Sequence, residues 1–101
     1  MDKRFLIEYL PIAENDLTEI LEYIQIDNPT VALIFIDEID RAISKLAFFP
    51  FIGPVPKDPR LIHLNYRMLV VGSYIVFYVV LEDVVEIRRI LHAKRNYDFL
   101  V

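Results

Sequence analysis

The spacing of hydrophobic and polar residues changes along the chain, and each spacing predicts a different element. Residues 4–10 are apolar and rich in strand-forming side chains, and Pro11 cannot continue a sheet ladder, so we expect a first β-strand there. From Ile12 onward, apolar residues recur at intervals of three and four, which is typical of an amphipathic helix. This apolar face comprises Ala13, Leu17, Ile20, Leu21 and Ile24, and the predicted polar face carries Glu14, Asp16, Glu19 and Glu22.

A second helix is predicted after Asn28-Pro29, because asparagine is a good N-cap and proline suits the first helical turn. Apolar residues at helical spacing then continue to the Phe49-Pro50 step, where we expect the helix to end. Leu33 and Ile36 flank this apolar stripe and widen it, a pattern that either a surface for a partner or wider burial in the core would produce.

The second half of the chain predicts a loop followed by strands. Residues 49–60 contain four prolines and Gly53, so we expect a packed irregular loop. Three β-rich runs follow at 67–71, 74–81 and 84–91, and the short turns between them predict an antiparallel meander. The last ten residues suggest a short helix or coil that returns to the body of the domain.

Together these elements predict a single α+β domain spanning residues 1–101, with both helices on one face of the sheet. The central strand, residues 74–81, is apolar on both of its faces. The face away from the helices therefore needs a cover, which could be the tail, a second copy of the chain or a partner.

Composition excludes several classes of protein. Hydrophobic residues make up 55% of the chain and charged residues 26%, which is too apolar for a disordered polypeptide. The longest stretch without a charged residue, 68–81, is shorter than the roughly 18 residues of a membrane span. The first apolar run is interrupted at Glu8, so we expect no signal peptide and a cytoplasmic protein. With no cysteine and only two histidines, we expect no disulfide, metal site or cofactor.

The net charge of −4 conceals an asymmetry between the two halves of the chain. Residues 1–49 contain ten acidic and four basic residues, whereas residues 50–101 contain five acidic and seven basic residues. An anionic target is therefore expected to contact the second half.

Several blocks of the sequence resemble the RelE/ParE superfamily of bacterial type II toxin–antitoxin toxins. The most specific block is residues 85–97, in which a strand closes on Arg-Ile-Leu-His and a basic segment leads to Tyr97. The resemblance covers nearly the whole chain. It is closer to the ParE-type members than to the RelE-type members, because the chain has the sequence Phe49-Pro50-x-x-Gly53 and has Tyr66-Arg67 before a Gly-Ser turn.

The resemblance implies a toxin that inhibits growth, contributes to plasmid stabilisation and is neutralised by a cognate antitoxin protein. ParE-like members bind DNA gyrase, which is the expected target. The alternative is a RelE-like endoribonuclease, independent of metal, that cleaves mRNA in the ribosome. A homodimer is also possible, and so is a decayed copy that only binds its antitoxin.

Candidate site residues follow from these two alternatives. Under the nuclease alternative the catalytic residues would be Arg67, His92, Arg95 and Tyr97, since cleavage needs a base, an acid and cations around the phosphate. A second interpretation of His92 is a hydrogen bond to the backbone where the tail turns. The resemblance and the charge distribution favour four residues as target-binding: Arg67, Arg89, Lys94 and Arg95. The apolar surface predicts four antitoxin-binding residues: Leu33, Ile36, Tyr74 and Tyr78.

Arg88 and Arg89 are neighbours on one strand, so their side chains are expected on opposite faces of the sheet. One of them would then be a structural charge partner and the other would face the open side. The sequence leaves the assignment open.

Overall fold

A computed structural model describes residues 4–95 and residue 100. Its elements follow the predicted order and confirm the α+β class: β1 (Leu6–Tyr9), α1 (Pro11–Asp27), α2 (Pro29–Ser44), a 3-10 turn (Lys45–Ala47), α3 (Pro59–His63), β2 (Tyr66–Val71), β3 (Tyr74–Leu81) and β4 (Val84–His92). None of the helices in these residues is long and apolar enough to cross a membrane.

Asn28 lies between the two long helices and is the N-cap of α2, as predicted. Its backbone N–H donates to the carbonyl of Ile24 at the end of α1, at 3.0 Å. Its side-chain Oδ1 accepts a 3.2 Å hydrogen bond from the N–H of Val31 in the first turn of α2. One residue therefore ends α1 and begins α2, which folds them into a hairpin. The second helix ends at Ser44, earlier than predicted, because the chain tightens into the 3-10 turn.

The strands form one four-stranded sheet in the order β1-β4-β3-β2. The β2–β3 and β3–β4 pairs are antiparallel, whereas β1 is parallel to β4. Because β1 ends at Tyr9, it pairs only with residues 84–87 of β4. The rest of β4 extends past the end of β1. The pairing of β4 with β3 has a register shift between Phe77 and Tyr78 of β3.

Alternating residues of β3 belong to two separate cores. On the helical side, Val76 and Tyr78 pack with residues of α1 and α2 such as Phe35. On the other side, Ile75 and Phe77 pack in the cluster that also contains Leu61, Tyr66, Val79 and Leu91, with Met68 and Leu100 against it. The chain itself therefore covers the second sheet face, through α3 and Leu100.

The helix α3 lies in a stretch where the sequence predicts a loop. Asp58 caps it, since its Oδ1 accepts the backbone N–H of Arg60 at 2.9 Å, and Pro59 occupies its first turn. Asp-Pro is the same kind of start signal that was recognised at Asn28-Pro29. Half of the closing segment, residues 96–99 and 101, lies outside the described residues, so the prediction of a short helix or coil is not tested there.

Candidate functional site

The end of β4 carries an exposed basic segment, residues His92–Arg95, which we call the basic turn. Three hydrogen bonds hold its backbone. The N–H of Ala93 donates to Ser73 O at 2.8 Å, the N–H of Arg95 donates to His92 O at 2.9 Å, and the N–H of Lys94 donates to His92 Nδ1 at 3.1 Å. The side chains of Lys94 and Arg95 are exposed. The basic turn is thus a cationic surface on a fixed backbone.

His92 supports the backbone of the basic turn. Its Nδ1 accepts the N–H of Lys94, so this ring nitrogen is engaged by the backbone. Its ring stacks edge to face on Tyr74, with the centroids 5.3 Å apart. These contacts match the interpretation of His92 as a residue that bonds to the backbone where the tail turns.

Arg67 lies under the loop that follows α2. Its Nη1 donates to the carbonyls of Phe51, at 3.2 Å, and Gly53, at 2.9 Å, and the guanidinium lies 4.9 Å from the centre of the Phe51 ring. Tyr78 holds the same loop, because its hydroxyl accepts the N–H of Gly53 at 3.0 Å and donates to Pro50 O at 2.8 Å. Residues 50–53 are therefore fastened to the sheet by two side chains.

The Tyr78 phenol is wholly inside the protein. Burial raises its pKa above the ordinary value, although the Gly53 N–H and the charge of Arg67 act in the opposite direction. In this conformation the side chain offers no surface to a partner, in contrast to the expectation that it binds the antitoxin.

Of the three proposed catalytic residues that the structure describes, His92 and Arg95 share the basic turn and Arg67 lies apart from them. Arg67 lies opposite Tyr78 of β3 in the sheet, whereas His92 lies opposite Tyr74. Tyr74 and Tyr78 are four residues apart, which is about 13 Å along the strand. Tyr97 lies outside the described residues. Within residues 4–95 and 100, no group of three or more acidic or histidine side chains could hold a metal ion.

Arg89 is the structural charge partner, and Asp16 of α1 is its acid. Arg89 Nε donates to Asp16 Oδ2 at 2.7 Å and Nη2 donates to Oδ1 at 2.9 Å. The side chains are only 14% and 7% exposed, respectively. Bonding to the carboxylate raises the pKa of Arg89 although desolvation opposes the shift. Asp16 was predicted on the solvated face of the helix, and that placement was wrong.

Arg88 occupies the opposite side of the sheet. Its Nε donates to Glu86 Oε1 at 2.8 Å, and its guanidinium lies 5.5 Å from the centre of the Tyr66 ring, in the core beneath α3. Arg88, and not Arg89, is therefore the arginine on the face away from the helical hairpin. Arg89 was one of the expected target-binding residues, and its ion pair leaves Lys94 and Arg95 as the more accessible cations.

The remaining antitoxin-binding candidates lie on two surfaces. Leu33 and Ile36 are 69% and 41% exposed and line a groove between α1 and α2. Tyr74 is half-buried between Phe35, at 5.1 Å between ring centres, and His92 of the basic turn.

The ParE toxin family of type II toxin–antitoxin systems, parDE, matches residues 7–97 of this sequence. The chain therefore belongs to this family. A search of curated proteins found no match.

Two solved structures have a similar fold. A chain of the chromosomal ParDE toxin–antitoxin system from P. aeruginosa superposes with a TM-score of 0.75 at 18% identity, over 91% of this chain and 99% of that one. A chain of the toxin–antitoxin complex RelBE2 from Mycobacterium tuberculosis superposes with a TM-score of 0.61 at 16% identity, over 88% of this chain and 98% of that one. At these identities the likeness establishes the fold.

Proposed function

We propose that this ParE-family toxin arrests growth by binding DNA gyrase through the basic turn, and that a cognate antitoxin neutralises it. The observation that carries the proposal is the exposure of Lys94 and Arg95 on a hydrogen-bonded turn that lies far from Arg67. A cationic group of this kind suits an anionic or polar surface of a macromolecule. Its three backbone hydrogen bonds reduce the ordering that binding would require.

Binding accounts for these residues better than cleavage of RNA does. A nuclease must gather a base, an acid and cations within hydrogen-bonding reach of one phosphate. Arg67 is already bonded to two carbonyls at the other end of the sheet. The middle of the face beneath α3 consists of apolar side chains such as Phe77 and Val79, and Leu61 covers them.

A RelE-like mRNA endoribonuclease remains the second candidate, and one observation favours it. His92, Lys94 and Arg95 share a single exposed turn, so an imidazole and two cations lie close to one another. To act as a base through Nδ1 in that mechanism, His92 would first have to release its hydrogen bond to the backbone.

Neutralisation by an antitoxin is supported by the apolar surface of the helical hairpin. Leu33 and Ile36 belong to an exposed strip that water solvates poorly, and a folded partner segment would cover it. Both solved relatives come from toxin–antitoxin systems. A partner that also reached Tyr74 would lie beside the basic turn and could block it.

The experiment that tests the proposal is induction in cells followed by mapping of mRNA ends. We expect growth arrest without new cleavage ends at ribosome-bound codons. The variant Lys94→Ala/Arg95→Ala should lose the arrest, whereas Lys45→Ala/Lys57→Ala removes the same charge elsewhere and should keep it. New mRNA ends that vanish in His92→Gln would instead establish the nuclease.

A further inference from the structure

A pocket of about 270 Å³ lies between the loop that follows α2, the helix α3 and the first residues of β2, and we call it the loop pocket. Four apolar side chains form its walls: Phe51, Val55, Ile62 and Val80. The other described lining residues are Asn65, Tyr66 and Arg67, and none of them is acidic. The loop pocket is therefore an apolar cavity with one positive charge.

The charge of Arg67 is not balanced by an acid, since no acidic side chain among residues 4–95 and 100 pairs with it. Its Nη1 donates to the carbonyls of Phe51 and Gly53, which are neutral acceptors. Within the described residues, its Nε and Nη2 donate to no acceptor. A carboxylate bonds this edge of a guanidinium with two parallel hydrogen bonds. Arg67 can therefore receive an anion while it keeps its bonds to the loop.

Asn65 is a second polar residue with donors at the loop pocket. Its φ of 64° turns the chain from α3 into β2, and its backbone N–H donates to Ile62 O at 3.0 Å. Its side-chain amide makes no hydrogen bond in the part of the chain that the structure describes. Asn65 and Arg67 thus border one pocket with donors that the fold does not use.

The walls of the loop pocket are apolar surface in contact with water. Phe51, Val55 and Ile62 are 59%, 45% and 46% exposed. A ligand that covered them would gain free energy, because removal of apolar surface from water is favourable. Phe51 is held in place, since its ring centre lies 4.9 Å from the guanidinium of Arg67 and the Tyr78 hydroxyl bonds the loop on both sides of it. Binding therefore requires little ordering of the wall.

We propose that the loop pocket binds a small carboxylic acid with an aryl or short alkyl body, whose carboxylate pairs with Arg67 and whose body contacts Phe51 and Ile62. An apolar cavity of about 150 Å³ holds one benzene ring, so the loop pocket can hold a ring with a short chain. One guanidinium and one amide suit a carboxylate better than a phosphate, which carries more negative charge.

The inference does not depend on the gyrase target. Arg67 and Val80 lie near one end of the β2–β3 pair, whereas Tyr74 and His92 lie at the other end, beside the basic turn. A ligand in the loop pocket would therefore leave the basic turn uncovered.

The test is a titration of the full chain with hydrocinnamate, in which amide chemical shifts report both the affinity and the site. Three further probes separate the parts of this acid. Hydrocinnamide has the same body without the charge, and acetate has the charge without the body. An N-acetylated peptide that ends in phenylalanine carries the ring and the carboxylate on a longer chain. Each probe is measured at low and at high salt.

We expect hydrocinnamate to bind with a dissociation constant at or below about 1 mM, and its amide and acetate to bind at least about tenfold more weakly. High salt should reduce the preference for the acid over its amide. Shifts should cluster at Ile62, Asn65 and Arg67. The peptide should bind more weakly than the free acid, because the loop pocket is too small to hold its backbone as well.

Two variants separate the charge from the wall. Arg67→Lys keeps a positive charge but loses the paired donors, and it should weaken hydrocinnamate about tenfold. Ile62→Ala shortens the wall without altering Arg67, and it should weaken binding about threefold to tenfold. The matched control is Leu64→Ala, since Leu64 is 41% exposed and lies outside the loop pocket; it should leave the affinity unchanged. Chemical denaturation checks that each variant is folded.

Equal affinity for hydrocinnamate and its amide would overturn the inference, because the charge would then play no part. No binding of any probe, tighter binding of the peptide than of the free acid, or shifts that cluster at Lys94 and Arg95 would overturn it as well. If Arg67→Lys fails to fold, unchanged affinity in Ile62→Ala has the same consequence, since that variant leaves the loop and its bonds to Arg67 intact.

Discussion

Asp16 of α1 bonds the guanidinium of Arg89 with both carboxylate oxygens, and its Oδ2 also accepts the backbone N–H of Ile90 at 3.0 Å. This arrangement follows from the shortness of β1. Since β1 pairs only with residues 84–87, the N–H of Ile90 emerges on the side of β4 where β1 has ended. Asp16 supplies the missing acceptor and Arg89 neutralises its charge, so α1 closes the edge of the sheet next to the basic turn.

Removing the Asp16 carboxylate should destabilise the fold. Asp16→Ala would remove the carboxylate that bonds the largely buried Arg89 guanidinium and accepts the Ile90 N–H, which is expected to cost about 3 kcal/mol or more of unfolding free energy. The free energy is measured by urea denaturation. Glu22→Ala, an exposed acid on the same helix, should change it by less than about 0.5 kcal/mol. Equal effects of the two substitutions would exclude a special role for Asp16.

The loop at Gly53 should tolerate no side chain. A Cβ atom at this position would meet Met68 O and would lie 2.6 Å from the Tyr78 hydroxyl, so Gly53→Ala must displace the loop or break its hydrogen bonds. We expect a loss of about 1 to 3 kcal/mol in unfolding free energy. A Cβ at Gly72 would meet nothing within 4 Å, and the strain there comes only from its φ of +58°. Gly72→Asn should therefore be nearly neutral, because asparagine accepts this conformation. A stable Gly53→Ala protein would contradict the described packing.

Stability should fall at alkaline pH, in part because of Tyr78. Its pKa in the folded protein is raised above 10.0, the value of an unperturbed tyrosine, so folding favours the neutral phenol. This contribution is complete below pH 10 and is lost as the pH rises toward and through the raised pKa. The unfolding free energy, measured on both sides of pH 10, should decline less steeply in Tyr78→Phe. Some decline remains, since the pKa of Tyr9 is also raised.

The same variant separates the two roles of the Tyr78 hydroxyl. At neutral pH, Tyr78→Phe should lose about 1 to 3 kcal/mol, because the Gly53 N–H and the Pro50 carbonyl lose their partner. Tyr23→Phe is the matched control, since Tyr23 is 65% exposed on α1. Identical pH profiles for the wild type and Tyr78→Phe would refute the contribution of the buried phenol.

The fold was largely predictable because the apolar spacing of each segment matches its final element. The Asn28 cap and the boundaries of the meander also depend on residues close in sequence, so local pattern was sufficient for them. The four prolines of residues 49–60 favour a loop and conceal α3, although Asp58-Pro59 is a helix start. A five-residue helix is too short to show a hydrophobic period of its own.

The site was less predictable, because it depends on contacts between distant residues. Asp16 did carry a signal: it lies three residues after Ala13 and four before Ile20, which puts an acid on the apolar side of α1. Nothing local assigns Arg89 to it, since the two residues are 73 positions apart. The bonds that Arg67 makes to the carbonyls of the loop likewise arise only when the loop folds onto the sheet.

The most direct measurement is inhibition of DNA gyrase supercoiling by the purified chain. We expect the wild type to inhibit the reaction and Lys94→Ala/Arg95→Ala to need about tenfold more protein for the same inhibition, as for the loss of an important interface contact. Lys45→Ala/Lys57→Ala should inhibit like the wild type. If a folded wild-type chain arrests growth in cells but leaves gyrase supercoiling unchanged at every concentration, gyrase is not its target.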